Sequence, residues 1–481
     1  MLIRNAQLQA STITDVRIDG THIAAVDRGL TARPGEPALD ARGGALLPGL
    51  HDHHVHLLAL ASSLESLRCG PPEVSTEEHL EQQLRERAAL SDESDADWIR
   101  GIGYHESVAG DIDRAWLDRV VPDVPVRIQH RSGRLWIVNS RALAQLAAGA
   151  ARLGPAPSPA RDLPDHGALA TGRLLDADRW LRERLGGHPP ALQRVSARLA
   201  SFGVTGVTDA GARNSLEDYH HFVDCTARGE LQQNLIVMGD ASLDRAMDSG
   251  TVRRGPTKIY LRESALPAPE DLCASIERSH AAGRAVAVHC VTETEVVFAI
   301  SALASAGCRP GDRIEHASVA PPEVLSLLAE HGLTVVTQPN FVRERGDTYL
   351  TDIPGREQPW LYRGRAFLEA GIALAAGTDA PLGDPNPWFA MQAAVDRRTL
   401  SGRVLGDAEA LTPEEALALF SGDPLAPGSD FTHIAPGSPA DLCLLDRSWA
   451  VARADLAAVK VMATLRGGRL VWQDTGTRIP C

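Results

Sequence analysis

Alternating apolar and polar positions mark both ends of this 481-residue chain, whereas its middle is built of short apolar runs separated by helical stretches. Residues Met1 to Gln9 alternate as a strand does, and Val16 to Val26 alternate on both sides of Asp19-Gly20. That dipeptide suits a two-residue hairpin turn, because Gly accepts the positive φ the turn demands. Towards the other end, Ala440 to Leu445 and Val459 to Leu465 have strand character, and Gly467-Gly468 can turn the latter into Arg469 to Trp472. Two β-rich ends around a different middle predict that the ends meet as one small β-sandwich, residues 1–48 with 408–481.

The middle predicts eight strands: Leu47 to Leu57, Val204 to Ala210, Asn234 to Gly239, Thr257 to Leu261, Ala285 to Cys290, Arg313 to Ala317, Leu333 to Thr337 and Ile372 to Gly377. Most gaps hold one helix, so the expected fold is α/β, a (β/α)8 TIM-like barrel over 49–64 and 191–407. The first gap is too long for one helix. Residues 65–190 carry a Pro- and acid-rich stretch, a strand-like Val124 to His130 and a helix-like Ser140 to Ala148, which predict an inserted α+β subdomain. A late helix announces itself in Thr412-Pro-Glu-Glu415, with an N-cap, a first-turn Pro and an acid three residues on.

Charge and composition narrow the function classes. A net charge of −14 with no basic stripe argues against a nucleic-acid partner. No apolar run approaches the roughly 20 residues of a membrane span, and the first residues lack the apolar core of a signal peptide. Seven scattered cysteines without a CxxC fit reduced thiols, hence a cytoplasmic protein. A small-molecule substrate is the partner this leaves, and a homo-oligomer stays open.

Lysine is almost purged: two lysines stand against 46 arginines. Arg replaces Lys wherever only charge is needed but not where an amine must lose its proton. One survivor, Lys258, lies in the strand-like Pro-Thr-Lys-Ile-Tyr-Leu, downstream of His51-Asp-His-His-Val-His56. The strand period of two puts Asp52, His54 and His56 on one face of that cluster, so His54 and His56 can share a cation. His51 and His53 fall on the other face. His289 and His316 each close an apolar strand, where an imidazole without a partner would be costly. Asp379 closes the eighth strand and could both bind an ion and carry protons.

The ordered set Pro48-Gly-Leu-His-Asp-His-His-Val-His56, Lys258, His289, Ile314-Glu-His316 and Gly377-Thr-Asp379, with the late Ile434-Ala-Pro-Gly-Ser-Pro-Ala-Asp-Leu442, resembles the amidohydrolase superfamily. Leu117 to Pro125, Trp136 to Leu143 and Phe202 to Asp209 resemble the subgroup called amidohydrolase family 3. The resemblance implies a hydrolase holding one or two divalent ions, zinc first, with iron, manganese, nickel or cobalt as alternatives. It implies His54 and His56 on one ion, His289 and His316 on the other, and Lys258 bridging them after carboxylation by carbon dioxide. Asp379 would be ligand and proton shuttle. The implied reaction is cleavage of a C–N bond in an amide, carbamate or cyclic amide through a metal-activated hydroxide. A deaminase with one ion is the alternative within enzymes, and a metal-free binding protein the alternative outside them. The chain departs from its relatives at the short Leu261-Arg-Glu-Ser-Ala-Leu-Pro and at Ser132-Gly-Arg134, so Arg262 and Arg134 become candidates for holding an anionic group on the substrate.

Overall fold

Eight parallel strands follow one another in chain order around a single sheet: β1 Leu50–Val55, β2 Val204–Asp209, β3 Asn234–Gly239, β4 Val252–Tyr260, β5 Val286–Cys290, β6 Arg313–His316, β7 Thr334–Thr337 and β8 Leu374–Ala376. This computed structural model describes every residue except 9–11, 72, 91–97, 154–165, 186–188, 430–432 and 475–481. The sheet nearly closes into a barrel just past the ends of β8 and β1. There Asp379 N donates to His54 O at 2.8 Å and His56 N donates to Ala380 O at 2.9 Å. Every residue of β1, β2, β6 and β8 is buried, as parallel strands covered on both faces require.

All eight expected strands are present. β4 begins at Val252, five residues before the apolar run that predicts it, because Val252, Arg253 and Arg254 pair with Leu235, Ile236 and Val237 of β3. Arg254 is accommodated there by hydrogen bonds from its Nη1 to Asp244 O (2.7 Å) and from its backbone N to Asp248 Oδ1 (2.8 Å). Two helices carry clear end signals, the one at Thr412 as expected. Thr292 with Glu295 and Thr412 with Glu415 form complete capping boxes, each satisfying otherwise unpaired N–H groups of a first turn.

The two chain ends build two four-stranded sheets. In one, His22–Asp27, Thr12–Asp19 and Leu2–Leu8 are antiparallel neighbours, and Ala38–Asp40 adds a short parallel edge. The other runs Arg469–Gln473, Val461–Arg466, Leu442–Leu445, Leu46–Pro48, all antiparallel. Ile3, Val16, Leu39 and Leu46 share one buried core with Leu442, Leu444 and Leu465, so neither end buries its apolar face without the other.

Met1–Leu60 with Ala191–Cys481 form one compact unit and Ala61–Pro190 a second. The second has a five-stranded sheet ordered Arg173–Leu175, Leu135–Val138, Val126–His130, Ile99–Tyr104, Leu67–Arg68, with a helix over Ser140–Leu153 longer than the pattern predicts. Its core includes Leu80, Ile99, Leu117, Ile128 and Ile137. Among the described residues no helix is long and apolar enough to cross a membrane. Six cysteines are free thiols, and Cys481 lies outside the described residues.

The approach of β8 to β1 leaves no room at Gly377. A Cβ there would sit 2.4 Å from both the backbone N and the Cβ of His54. Backbone cannot yield as a flexible side chain can, so Gly377→Ala should destabilise the fold by about 1–3 kcal/mol or more. Thermal and urea unfolding would check it, an unchanged midpoint being the contrary result.

Candidate metal centre

Strand ends place the candidate chemistry. His54 lies near the end of β1 and His56 just beyond it, while Asp379 follows β8 across the seam. His54 Nε2 is 3.5 Å and His56 Nε2 3.2 Å from the same oxygen, Asp379 Oδ1. Each residue offers one ligand atom, and the three atoms lie within 4.8 Å of one another. Asp379 and His316 both have left-handed backbone, φ 54° and 71°. Non-glycine residues hold that conformation at a cost, and it gathers at sites where the surroundings impose it.

His316 lies beside this cluster, its ring centroid 4.9 Å from that of His54 and 4.4 Å from that of His289. Its Nδ1 pairs with Gln338 Oε1 at 2.6 Å, and its Nε2 is buried without a partner. Lys258 Nζ is likewise buried without a hydrogen bond, 3.6 Å from Glu315 Oε2. His289 stacks on Tyr260 with centroids 4.2 Å apart. Thus His54, His56 and Asp379 form the tightest group, and Lys258, His289 and His316 surround it. Imidazoles and carboxylates are the donor set that first-row divalent ions take, and orphaned polar atoms at Lys258, His316 and Asp379 fit a group that completes them.

Electrostatics sharpen the picture. Burial would raise the Asp379 carboxyl, but His54 and His56 outweigh it and hold the group well below the usual carboxylate range. Burial lowers His54 to about 3 and keeps it neutral, as a ligand must be. Partial burial works against the His56 imidazolium, yet the Asp379 carboxylate beside it carries it above the ordinary value. Burial also brings Lys258 down to about 8, against the pull of Glu315.

Glu315 went unassigned in the sequence although Ile314-Glu-His316 was singled out. It is fully buried, accepts from Arg313 Nε at 2.6 Å, and its Oε2 meets His54 Nδ1. The usable signal was Arg313 two residues earlier on the same strand face, since a buried acid requires a charged partner. Asp52 turns to β8. It accepts from Thr378 N (3.0 Å), Thr378 Oγ1 (2.5 Å) and His54 N (3.1 Å). His51 pairs with Thr208 at 2.9 Å, and both ring nitrogens of His53 are buried without partners.

The two candidate arginines differ. Arg262 places its guanidinium 5.1 Å from the centroid of the Tyr260 ring, next to His289. Arg134 belongs to the 61–190 unit and donates to Asp176 from Nε at 2.9 Å and Nη2 at 2.5 Å. A largely apolar groove of about 850 Å³ lies elsewhere, lined by Leu8, Leu46, Leu417, Ile434 and Trp449, and none of the candidate ligands borders it.

The model of the amidohydrolase family matches residues 38–472. N-substituted formamide deformylase of Arthrobacter pascens is 25% identical over 536 aligned positions, covering 99% of this chain and 98% of that protein. The protein LONG AFTER FAR-RED 3 of Arabidopsis thaliana is 24% identical over 502, covering 91% and 84%. Among solved structures, an uncharacterized metal-dependent hydrolase of Pyrococcus horikoshii OT3 superposes with a TM-score of 0.75 at 19% identity, covering 94% of this chain and 98% of that one.

Three hydrogen bonds to one buried carboxylate make Asp52 a structural prediction. Asp52→Ala strands the Thr378 and His54 donors, each at about 1–3 kcal/mol. Asp52→Asn keeps an acceptor oxygen and should lose less. Urea unfolding of both variants should therefore rank wild type above Asn above Ala, and equal midpoints for all three would refute the clamp.

Proposed function

The chain belongs to the amidohydrolase family, and from that premise we propose that it hydrolyses a C–N bond in an amide, carbamate or cyclic-amide small molecule at the His54–His56–Asp379 centre. The convergence of three ligand-type side chains on one point carries the reading. The deformylase relative supports the amide branch of it. One or two divalent ions, zinc foremost, would be held by His54, His56 and Asp379, with His289, His316 and Lys258 completing a second position. Bound there, a divalent cation supplies Lewis acidity, polarising a carbonyl and making water nucleophilic near neutral pH.

The chain's own groups then divide the remaining work. Asp379 is held as a carboxylate, so its oxygen can accept a proton from the attacking water and return it to the departing nitrogen. His54 keeps Nε2 towards Asp379 while Nδ1 is engaged by Glu315. Lys258 is the amine that can add to carbon dioxide. Its nitrogen would form the new N–C bond and release a proton, giving a carbamate whose oxygens would add to the donor set. Arg262, braced on Tyr260, would hold an anionic group of the substrate.

A deaminase with one ion is favoured by a different observation. The compact group contains three ligands, and Lys258 stands 3.6 Å from Glu315 outside it. Elemental analysis of protein purified without chelator separates the readings: two ions per chain support the bridged centre, one the deaminase, and none, with no hydrolysis after metal addition, a binding protein.

Lys258→Ala should lose the second ion and most activity, with partial rescue by small carboxylic acids. Lys258→Arg should fail equally, since its charge is right and its chemistry wrong. A Lys258→Arg enzyme with full metal and full turnover would end the carbamate reading. Asp379→Asn should lower kcat by about 10²–10⁴-fold, read on a panel of amides, carbamates and cyclic amides. Arg262→Met should raise KM for carboxylate-bearing members of that panel and leave neutral ones alone. Equal effects on both would remove the clamp.

A further inference from the structure

We propose that Glu315 is a positioning residue for the metal centre, fixing His54 as the tautomer with the proton on Nδ1 and the lone pair on Nε2. The inference rests on the reading of His54 as a ligand. Ionised Glu315 can only accept hydrogen bonds, and its Oε2 faces His54 Nδ1. The ring must then carry its proton on Nδ1, leaving Nε2, 3.5 Å from Asp379 Oδ1, as the donor atom.

Three features show that Glu315 is built for this. Its side chain is wholly buried, so water cannot substitute for either partner. Its other oxygen is fixed at 2.6 Å by Arg313 Nε, and Arg313 Nη2 is tied at 3.2 Å to the carbonyl of His53, the residue before the one being oriented. The arginine thus neutralises the acid and anchors it to β1. Before any carboxylation, Lys258 Nζ lies 3.6 Å from the same oxygen that meets His54.

His316 provides the contrast. Its Nδ1 faces the oxygen of a neutral amide, Gln338 Oε1, at 2.6 Å, and the Nε2 of that amide donates to Val336 O at 3.4 Å. A carboxylate behind an imidazole raises its donor strength more than an amide does. The geometry therefore makes His54 a stronger ligand than His316.

The test uses zinc and the full-length protein. Zinc affinity measured against a competing chelator should fall about 10–100-fold in Glu315→Gln, the usual cost of losing such a partner. The double variant Arg313→Leu, Glu315→Leu removes both members of the buried pair, and the Lys258 amine left beside them can shed its proton where an arginine could not. It should melt near wild type and show the same loss. Metal-free protein gives a second readout. The imidazole ¹⁵N spectrum should show His54, identified by its disappearance in His54→Gln, as the Nδ1–H form in wild type and as a mixture in the double variant. Wild-type zinc affinity in both Glu315 variants, or a His54 tautomer unchanged in the double variant, would overturn the proposal. Wild-type protein that holds neither zinc nor any other divalent ion would instead remove the hydrolase reading, while the tautomer measurement would still judge Glu315.

Discussion

Closure of the barrel between β1 and β8 is the constraint on which the rest depends. Parallel strands cannot satisfy their edges alone, so the first and last must meet, and they meet where the candidate ligands are. Asp52 draws in Thr378, the backbones of His54 and Asp379 are joined, and Gly377 lies flat against His54. The bonds that finish the fold also bring His54, His56 and Asp379 to one point. Fold and site at this seam are a single set of contacts.

Below the seam the interior carries charge that an apolar core would reject. Arg313, Glu315 and Lys258 are all buried, and each alone would cost several kcal/mol to desolvate. Together they leave the acid ionised despite its burial, because Arg313 and Lys258 outweigh desolvation. A hydrophobic triad could fill the same space with no loss of stability. Retention of ionic groups in such a place fits a chemical requirement better than a packing one.

Much of this was legible in the chain. The eight strands followed from apolar runs, and the capped helix at Thr412 from its turn residues. The ligand-type residues followed from polar groups closing strands that should be apolar. The early start of β4 was hidden because Arg253 and Arg254 break the apolar pattern, and only the pairing with β3 shows that backbone hydrogen bonds continue through it. Glu315 was missed for a related reason: in sequence a Glu beside a His looks like solvated charge. Only the three-dimensional approach of His54, far away along the chain, gives it a partner. The same holds for Arg262, whose contact with Tyr260 depends on the course of the chain after β4.

The strand Leu46–Pro48 pairs with Leu442–Leu445, and β1 begins two residues after Pro48. A ribosome delivers the first of these strands long before the second. Until the last segment emerges, the apolar faces of the N-terminal sheet have no cover and β1 has neither β8 beside it nor a fixed lead-in. Contacts of such sequence separation form slowly, and the waiting surface is prone to self-association. The nascent chain therefore has a vulnerable period that lasts through the synthesis of everything between these two strands. The histidines that emerge first stay uncommitted until the C-terminal strands complete the sheet beside them.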